Sequence, residues 1–85
     1  MNIITLIEIF TKEGNDIIQE IDITHIPFVQ LNEICPPEIE DDLQYCNGLY
    51  VEHEHYLELI KIIPELKTYP YEKFDFNIFS YQVLC

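Results

Sequence analysis

The chain has 85 residues, enough for one folded domain (residues 1–85) with a single core. Sixteen Asp and Glu residues oppose four Lys and no Arg, which gives a formal net charge of −12. Proteins bind nucleic acids and anionic membrane surfaces through Lys and Arg, so this composition argues against both as partners. Six Tyr and five Phe argue against intrinsic disorder.

The sequence predicts a cytoplasmic protein. No run approaches the ~20 apolar residues that span a bilayer. Residues 1–10 are apolar but lack the positive charge and small-residue cleavage site of a signal peptide. Cys35, Cys46 and Cys85 are odd in number and have no disulfide-framework spacing, which is typical of free thiols in a reducing compartment.

The N-terminal part of the chain predicts a β-hairpin. Residues 3–10 are rich in Ile and Leu and form a first strand. Residues 11–16 contain Gly14, which tolerates positive φ, and are predicted to form the turn. Residues 17–23 form the second strand, with its wetter face at Ile18, Glu20 and Asp22.

Two helices are predicted after the hairpin. The first starts near Thr24, a candidate cap, with Pro27 in its first turn, and stops at Cys35 because Pro36 disfavours helix in the residue before it. The second covers about residues 52–63, where an apolar stripe falls at helical spacing: Tyr56, Leu59, Ile60 and Ile63.

Residues 65–73 are predicted to form a loop, and residues 74–84 a last strand whose apolar alternation changes face after Ile78. Either a bulge shifts the strand, or both of its faces are partly covered. The order β-β-α-α-β predicts an α+β fold: a three-stranded antiparallel sheet with two helices packed on one face. The last strand is expected to pair with the first or the second.

The negative charge is concentrated in residues 38–58, which hold seven acids and no Lys or Arg. One interpretation of the cluster is a solvated face that keeps the protein soluble. A small domain needs a net charge of only about 2–8 in magnitude for that, so the cluster favours a role in attracting a basic partner. Tyr45 and Tyr50 flank the acids, and Tyr is enriched in binding hot spots. The predicted partner-binding residues are Glu38, Glu40, Asp41, Asp42, Tyr45, Tyr50, Glu52, Glu54 and Glu58. We expect lysines at Asp41 and Asp42 to weaken binding and leave the fold intact.

Catalysis and cofactor binding have little support in the sequence. There is no glycine-rich phosphate loop, serine elbow or H-E-x-x-H motif, and no catalytic residue is predicted. Cys35, Cys46, His53 and His55 are zinc-ligand types, but no paired Cys spacing accompanies them, so neither a metal nor another cofactor is predicted.

Two stretches carry a resemblance to a known class of proteins. The chain opens with a strand, the Lys12-Glu13-Gly14 turn and residues 18–23 (Ile-Gln-Glu-Ile-Asp-Ile), and it ends with the aromatic strand of residues 74–84. In this layout, and in its small size and acidity, it resembles the immunity proteins of bacterial toxin systems such as contact-dependent growth inhibition. The resemblance implies binding of a cognate basic toxin domain, usually a nuclease, whose nucleic-acid site or active site the acidic side chains would cover.

Two other functions remain open at this point. A nucleic-acid mimic that inhibits a DNA- or RNA-binding protein would use the same charge, with carboxylates spaced like phosphates. A small metal-binding regulator would use Cys46, His53 and His55.

Overall fold

The computed structural model describes residues 2–14, 16–37 and 41–83. The elements in chain order are β1 (Asn2–Thr11), β2 (Ile17–Asp22), α1 (Phe28–Ile34), β3 (Leu49–Tyr50), α2 (His53–Ile62), a 3-10 helix (Pro64–Thr68) and β4 (Phe74–Val83). The predicted α+β class is confirmed. Among the described residues the antiparallel sheet has four strands, not three, in the order β2-β1-β4-β3.

The additional strand, β3, is only two residues long. Leu49 pairs with Ile78 and Tyr50 with Asn77 at one edge of the sheet. Gly48 precedes β3 with φ of 80°, a conformation that favours glycine, and a Cβ there would lie 3.2 Å from the Asn77 amide. β3 was not predicted from the sequence, because two residues are too few for an alternation to be visible.

β1 is one of the two inner strands of the sheet, and it pairs with β2 on one side and with β4 on the other. The predicted hairpin with β2 is confirmed, with a register shift between Ile9 and Phe10. The last strand, β4, pairs with β1 along its whole length, from Asn2 opposite Val83 to Thr11 opposite Phe74. The two possible partners of the last strand are thus resolved in favour of the first.

The change of alternation in β4 has a different cause from a bulge. Its register with β1 is continuous, so side chains alternate regularly, and the inward position after Ile78 is Ser80. The Ser80 hydroxyl lies 2.9 Å from that of Thr5, directly opposite on β1, and this hydrogen bond satisfies both buried groups. Phe79 and Tyr81 therefore lie on the opposite, outer face of the sheet.

The core lies against the inner face of the sheet. Ile7 and Ile9 of β1 and Ile78 of β4 are fully buried there, in one cluster with Leu31 of α1 and Leu59 of α2. Tyr56 of α2 contacts Phe76 of β4, with ring centroids 5.2 Å apart. Both helices thus contribute to the same core, which fixes where α2 presents its polar side.

The helix boundaries agree with the sequence except at the start of α1. Pro27 is the residue before the first turn, and no side chain caps the helix. The predicted cap, Thr24, instead uses its hydroxyl to accept a hydrogen bond from the Thr5 backbone N–H at 3.0 Å. Pro64 ends α2 as expected, but the predicted loop after it begins with the 3-10 helix. Across the described residues, the helices are all too short to cross a membrane.

Candidate protein-binding surface

The predicted acidic residues lie on two separate segments. Glu38 and Glu40 lie outside the described residues. Asp41 and Asp42 belong to the loop before β3 and line a shallow depression with Leu43, Gln44 and Cys46. Glu52, Glu54 and Glu58 belong to α2 and its N-terminal boundary. The described acids of residues 41–58 are therefore carried by two elements, the loop before β3 and α2 with its N-terminal boundary.

Asp42 has a structural task in its loop. Its carboxylate accepts hydrogen bonds from the backbone N–H groups of Cys46 at 2.8 Å and Asn47 at 2.9 Å. Its backbone carbonyl accepts a third bond, from the N–H of Tyr45 at 3.1 Å. A lysine at Asp42 would remove both side-chain acceptors, so this change is expected to disturb the loop. For the exposed Asp41, the expectation that a lysine leaves the fold intact stays a prediction.

Tyr45 must be removed from the predicted partner-binding residues because it is a core residue. Its side chain is fully buried, with its ring 6.4 Å from that of Phe28. The hydroxyl donates a hydrogen bond of 2.7 Å to the backbone carbonyl of Cys35. Burial, with a smaller effect of Cys35 and Asp42, raises the pKa of Tyr45, so the hydroxyl keeps its proton. No surface for a partner is left on this side chain.

Tyr50, the other predicted tyrosine, is accessible. It lies on β3, is 43% exposed, and donates a hydrogen bond of 3.1 Å from its hydroxyl to Asp75. Because Tyr50 pairs with Asn77, it lies at the edge of the outer sheet face. The two tyrosines that flank the acidic segment in sequence thus have different environments.

The N-terminus of α2 gathers two of the predicted acids around a histidine. One polar atom from each of Glu52, Glu54 and His55 lies within 4.8 Å of the other two. Glu52 precedes the first turn and Glu54 belongs to it, where negative charge interacts favourably with the helix dipole. The Glu54 side chain is 79% exposed and its carboxylate lies 3.9 Å from Nε2 of His55, so its charge faces solvent.

Glu58, one turn further along α2, is partly neutralised. Nζ of Lys61 lies 3.1 Å from its carboxylate. The sequence segment 38–58 contains no Lys, but Lys61 follows three residues later and shares a helix face with Glu58. The negative charge of residues 38–58 is therefore partly neutralised in the folded protein by a lysine outside that segment.

The structure adds an acid that the sequence did not associate with this site. Glu33, near the end of α1, lines an open cleft of about 370 Å³ together with Glu54, His55 and Glu58. We call Glu33, Glu52, Glu54 and Glu58 the acidic helix surface. Glu33 is outward-facing in the helical pattern of α1, but only the packing of α1 beside α2 brings it to the others.

Among the described residues, Cys35, Cys46 and His53 do not belong to a group with metal-ligand proximity. Burial raises the pKa of the Cys35 thiol to about 12, which disfavours the thiolate that binds metals. The His53 ring lies 5.0 Å from that of Tyr71. Within the described part of the chain, Glu52, Glu54 and His55 are the one group with metal-ligand proximity, and it differs from the set Cys46, His53 and His55 considered from the sequence.

Comparison with family models, curated proteins and solved structures finds no match for this chain. A functional assignment therefore depends on the charge and geometry of its own residues.

Proposed function

We propose that this protein is an immunity protein that binds a basic toxin domain and neutralises it. The observation that carries the proposal is the acidic helix surface: Glu33, Glu54 and Glu58 line one cleft, and Glu52 lies close to Glu54 at the N-terminal boundary of α2. Among the described ion pairs, Lys61 neutralises only Glu58. The toxin class that fits is a nuclease, because its Lys and Arg residues hold phosphates and would equally hold carboxylates.

Neutralisation would follow from occupancy of the toxin's nucleic-acid-binding or active site. Glu33, Glu54 and Glu58 lie on helical backbone, so little backbone ordering is needed there on binding. A field of this sign accelerates the encounter with a basic protein by ~10–10³-fold, and salt reduces that advantage. A fast, salt-sensitive association is the expected signature.

The test is co-expression with the toxin candidate encoded next to this gene, followed by measurement of growth, co-purification and binding kinetics. We expect rescue of growth and a complex whose association rate falls as salt rises. The double variant Glu52→Gln and Glu54→Gln should slow association at least about tenfold, because it removes two exposed charges and keeps the side-chain shape.

The matched control is Glu8→Gln with Glu20→Gln, which removes the same charge from the sheet. It should change the association rate much less than the α2 pair does. If only the sheet pair slows association, the acidic helix surface is not the toxin site. If no complex forms and growth is not rescued, the immunity function is wrong. Tight capture of a DNA-binding protein without any linked toxin would instead identify a nucleic-acid mimic.

A further inference from the structure

The outer face of the sheet carries an apolar strip that lies outside the core. Leu6 of β1 is directly opposite Phe79 of β4, and Ile4 is opposite Tyr81. Ile4, Leu6 and Phe79 are half-buried and Tyr81 is 44% exposed, and none of the four packs against the core cluster. Within the described residues, α1 and α2 direct their buried side chains to the core on the inner face, so this strip has no covering layer.

Acidic side chains border the strip on the side of β2. Glu8 of β1 lies directly opposite Glu20 of β2, and Asp22 lies opposite Leu6. Like charges directly opposite on a sheet destabilise it. Glu8 accepts a hydrogen bond of 3.1 Å from the Asn77 amide, but no ammonium group of the described residues pairs with Glu8, Glu20 or Asp22.

Asp22 stays ionised beside this pair. Hydrogen bonds from Thr24 lower the pKa of Asp22, and its carboxylate accepts the Thr24 backbone N–H at 2.8 Å. The only ammonium on this side of the sheet with a described partner is that of Lys12, which is 3.0 Å from Asp75 near the far end of β1. The strip is therefore apolar in the middle and negative along one side.

The combination of an apolar strip and a negative border determines which kind of partner can bind this face of the sheet. A second copy of the chain would bring another net charge of −12 and a second Glu8–Glu20 pair to the interface, which opposes self-association. A partner with apolar side chains bordered by Lys or Arg would cover the strip and relieve the repulsion between Glu8 and Glu20 at the same time. An amphipathic helix provides both on adjacent faces and repeats the helix-on-sheet packing of the inner face.

We propose that the outer face of the sheet is a second docking surface, separate from the acidic helix surface, that binds a basic amphipathic helix of another protein. Residues 4–10 of β1 span about 20 Å at ~3.3 Å per residue. A helix of about 13 residues has the same length. The helix would place its apolar stripe over Leu6, Phe79 and Tyr81, and its Lys or Arg side over Glu8, Glu20 and Asp22.

The test needs no toxin and is independent of the immunity function. The probe is a synthetic Leu–Lys peptide of about 14 residues with Leu at helical spacing, titrated into the whole protein while amide NMR shifts are recorded. A scrambled peptide of identical composition has the same charge without the amphipathic face. We expect shifts concentrated in β1, β2 and β4, and about tenfold weaker binding of the scrambled peptide.

Matched variants locate the contact. Tyr81→Ser should weaken binding of the helical peptide at least about fivefold. Leu57→Ser on α2, where the wild-type side chain is 46% exposed, should leave it unchanged. Glu8→Gln with Glu20→Gln should weaken binding more than Glu52→Gln with Glu54→Gln. Circular dichroism confirms that each variant is folded.

Three results would overturn the proposal. Shifts confined to α1, α2 and the loop before β3 would place the peptide on the acidic helix surface. Equal affinity for the helical and scrambled peptides would reduce the interaction to charge alone. Concentration-dependent dimerisation without peptide, abolished by Tyr81→Ser, would make a second copy of the chain the occupant.

Discussion

At the scale of single residues, Tyr45 shows how a surface-type residue becomes structural. Its backbone has φ of 57°, which is uncommon outside glycine, and its carbonyl accepts hydrogen bonds from the N–H groups of Gly48 and Ser80. Its hydroxyl reaches back ten residues to Cys35. Through these hydrogen bonds, Tyr45 connects the loop before β3 to the end of α1 and to β4.

Tyr45→Phe should therefore destabilise the protein by about 1–3 kcal/mol, because the buried Cys35 carbonyl loses its hydroxyl donor while the ring is kept. The measurement is urea denaturation followed by circular dichroism. Tyr81→Phe, at a position 44% exposed, is the control and should change the free energy of unfolding by less than about 0.5 kcal/mol. Equal effects of the two changes would show that the hydroxyl of Tyr45 contributes nothing to stability.

At the scale of elements, α2 is held by a small number of buried side chains. Leu59 is fully buried. The Tyr56 hydroxyl lies 3.0 Å from the backbone carbonyls of both Leu66 and Tyr69, and these contacts connect the 3-10 helix and the residue after it to α2. Leu57, only two residues from Leu59, is 46% exposed. The helix thus offers a matched pair of leucines that differ in burial.

Leu59→Ala should cost about 2–5 kcal/mol of unfolding free energy, since it removes apolar contacts and leaves a cavity. Leu57→Ala should cost less than about 0.5 kcal/mol. Chemical denaturation of both variants checks the comparison. If the two substitutions had similar costs, α2 would not be packed on the sheet through the face that contains Leu59.

The elements that could be predicted from the sequence are those with enough residues to show a period. The β1–β2 hairpin and the stripe from Tyr56 to Ile63 are of this kind. β3 is too short to show one, and in β4 a buried Ser80 occupies an inward position where an apolar residue was expected. Pairings across 75 residues, such as that of Thr5 with Ser80, leave no local signal.

The same limit applies to the candidate site. The charge count along the sequence pointed to Glu52, Glu54 and Glu58, because residues that are close in sequence stay close together on and next to one helix. It misplaced Tyr45, whose burial depends on long-range contacts, and it missed Glu33, which reaches the cleft only through helix–helix packing. It also missed Lys61, because the segment boundary separated two residues that share one helix face.

At the scale of the whole molecule, negative charge lies on both sides of a two-layer structure. The acidic helix surface is on the helical side, and Glu8, Glu20 and Asp22 are on the sheet side. The longest dimension is 35 Å. At about 0.01 M salt the Debye length is about 30 Å, so most charges in the molecule interact with one another; at about 1 M it is about 3 Å, and they do not.

Raising the salt concentration from about 0.01 M to about 1 M NaCl should therefore stabilise the protein. Two Lys–carboxylate pairs are seen among the described residues, Lys12–Asp75 and Lys61–Glu58. Both are exposed and contribute little to stability, so the loss of their attraction is smaller than the relief of repulsion. A gain of about 1 kcal/mol would raise the melting temperature by about 4–8 °C. The variant Glu8→Gln with Glu20→Gln should melt higher than the wild type at low salt and gain less from added salt, because its cross-strand repulsion is already removed. A melting temperature that falls with salt in both proteins would mean that attractive ion pairs, and not self-repulsion, dominate the electrostatics of the fold.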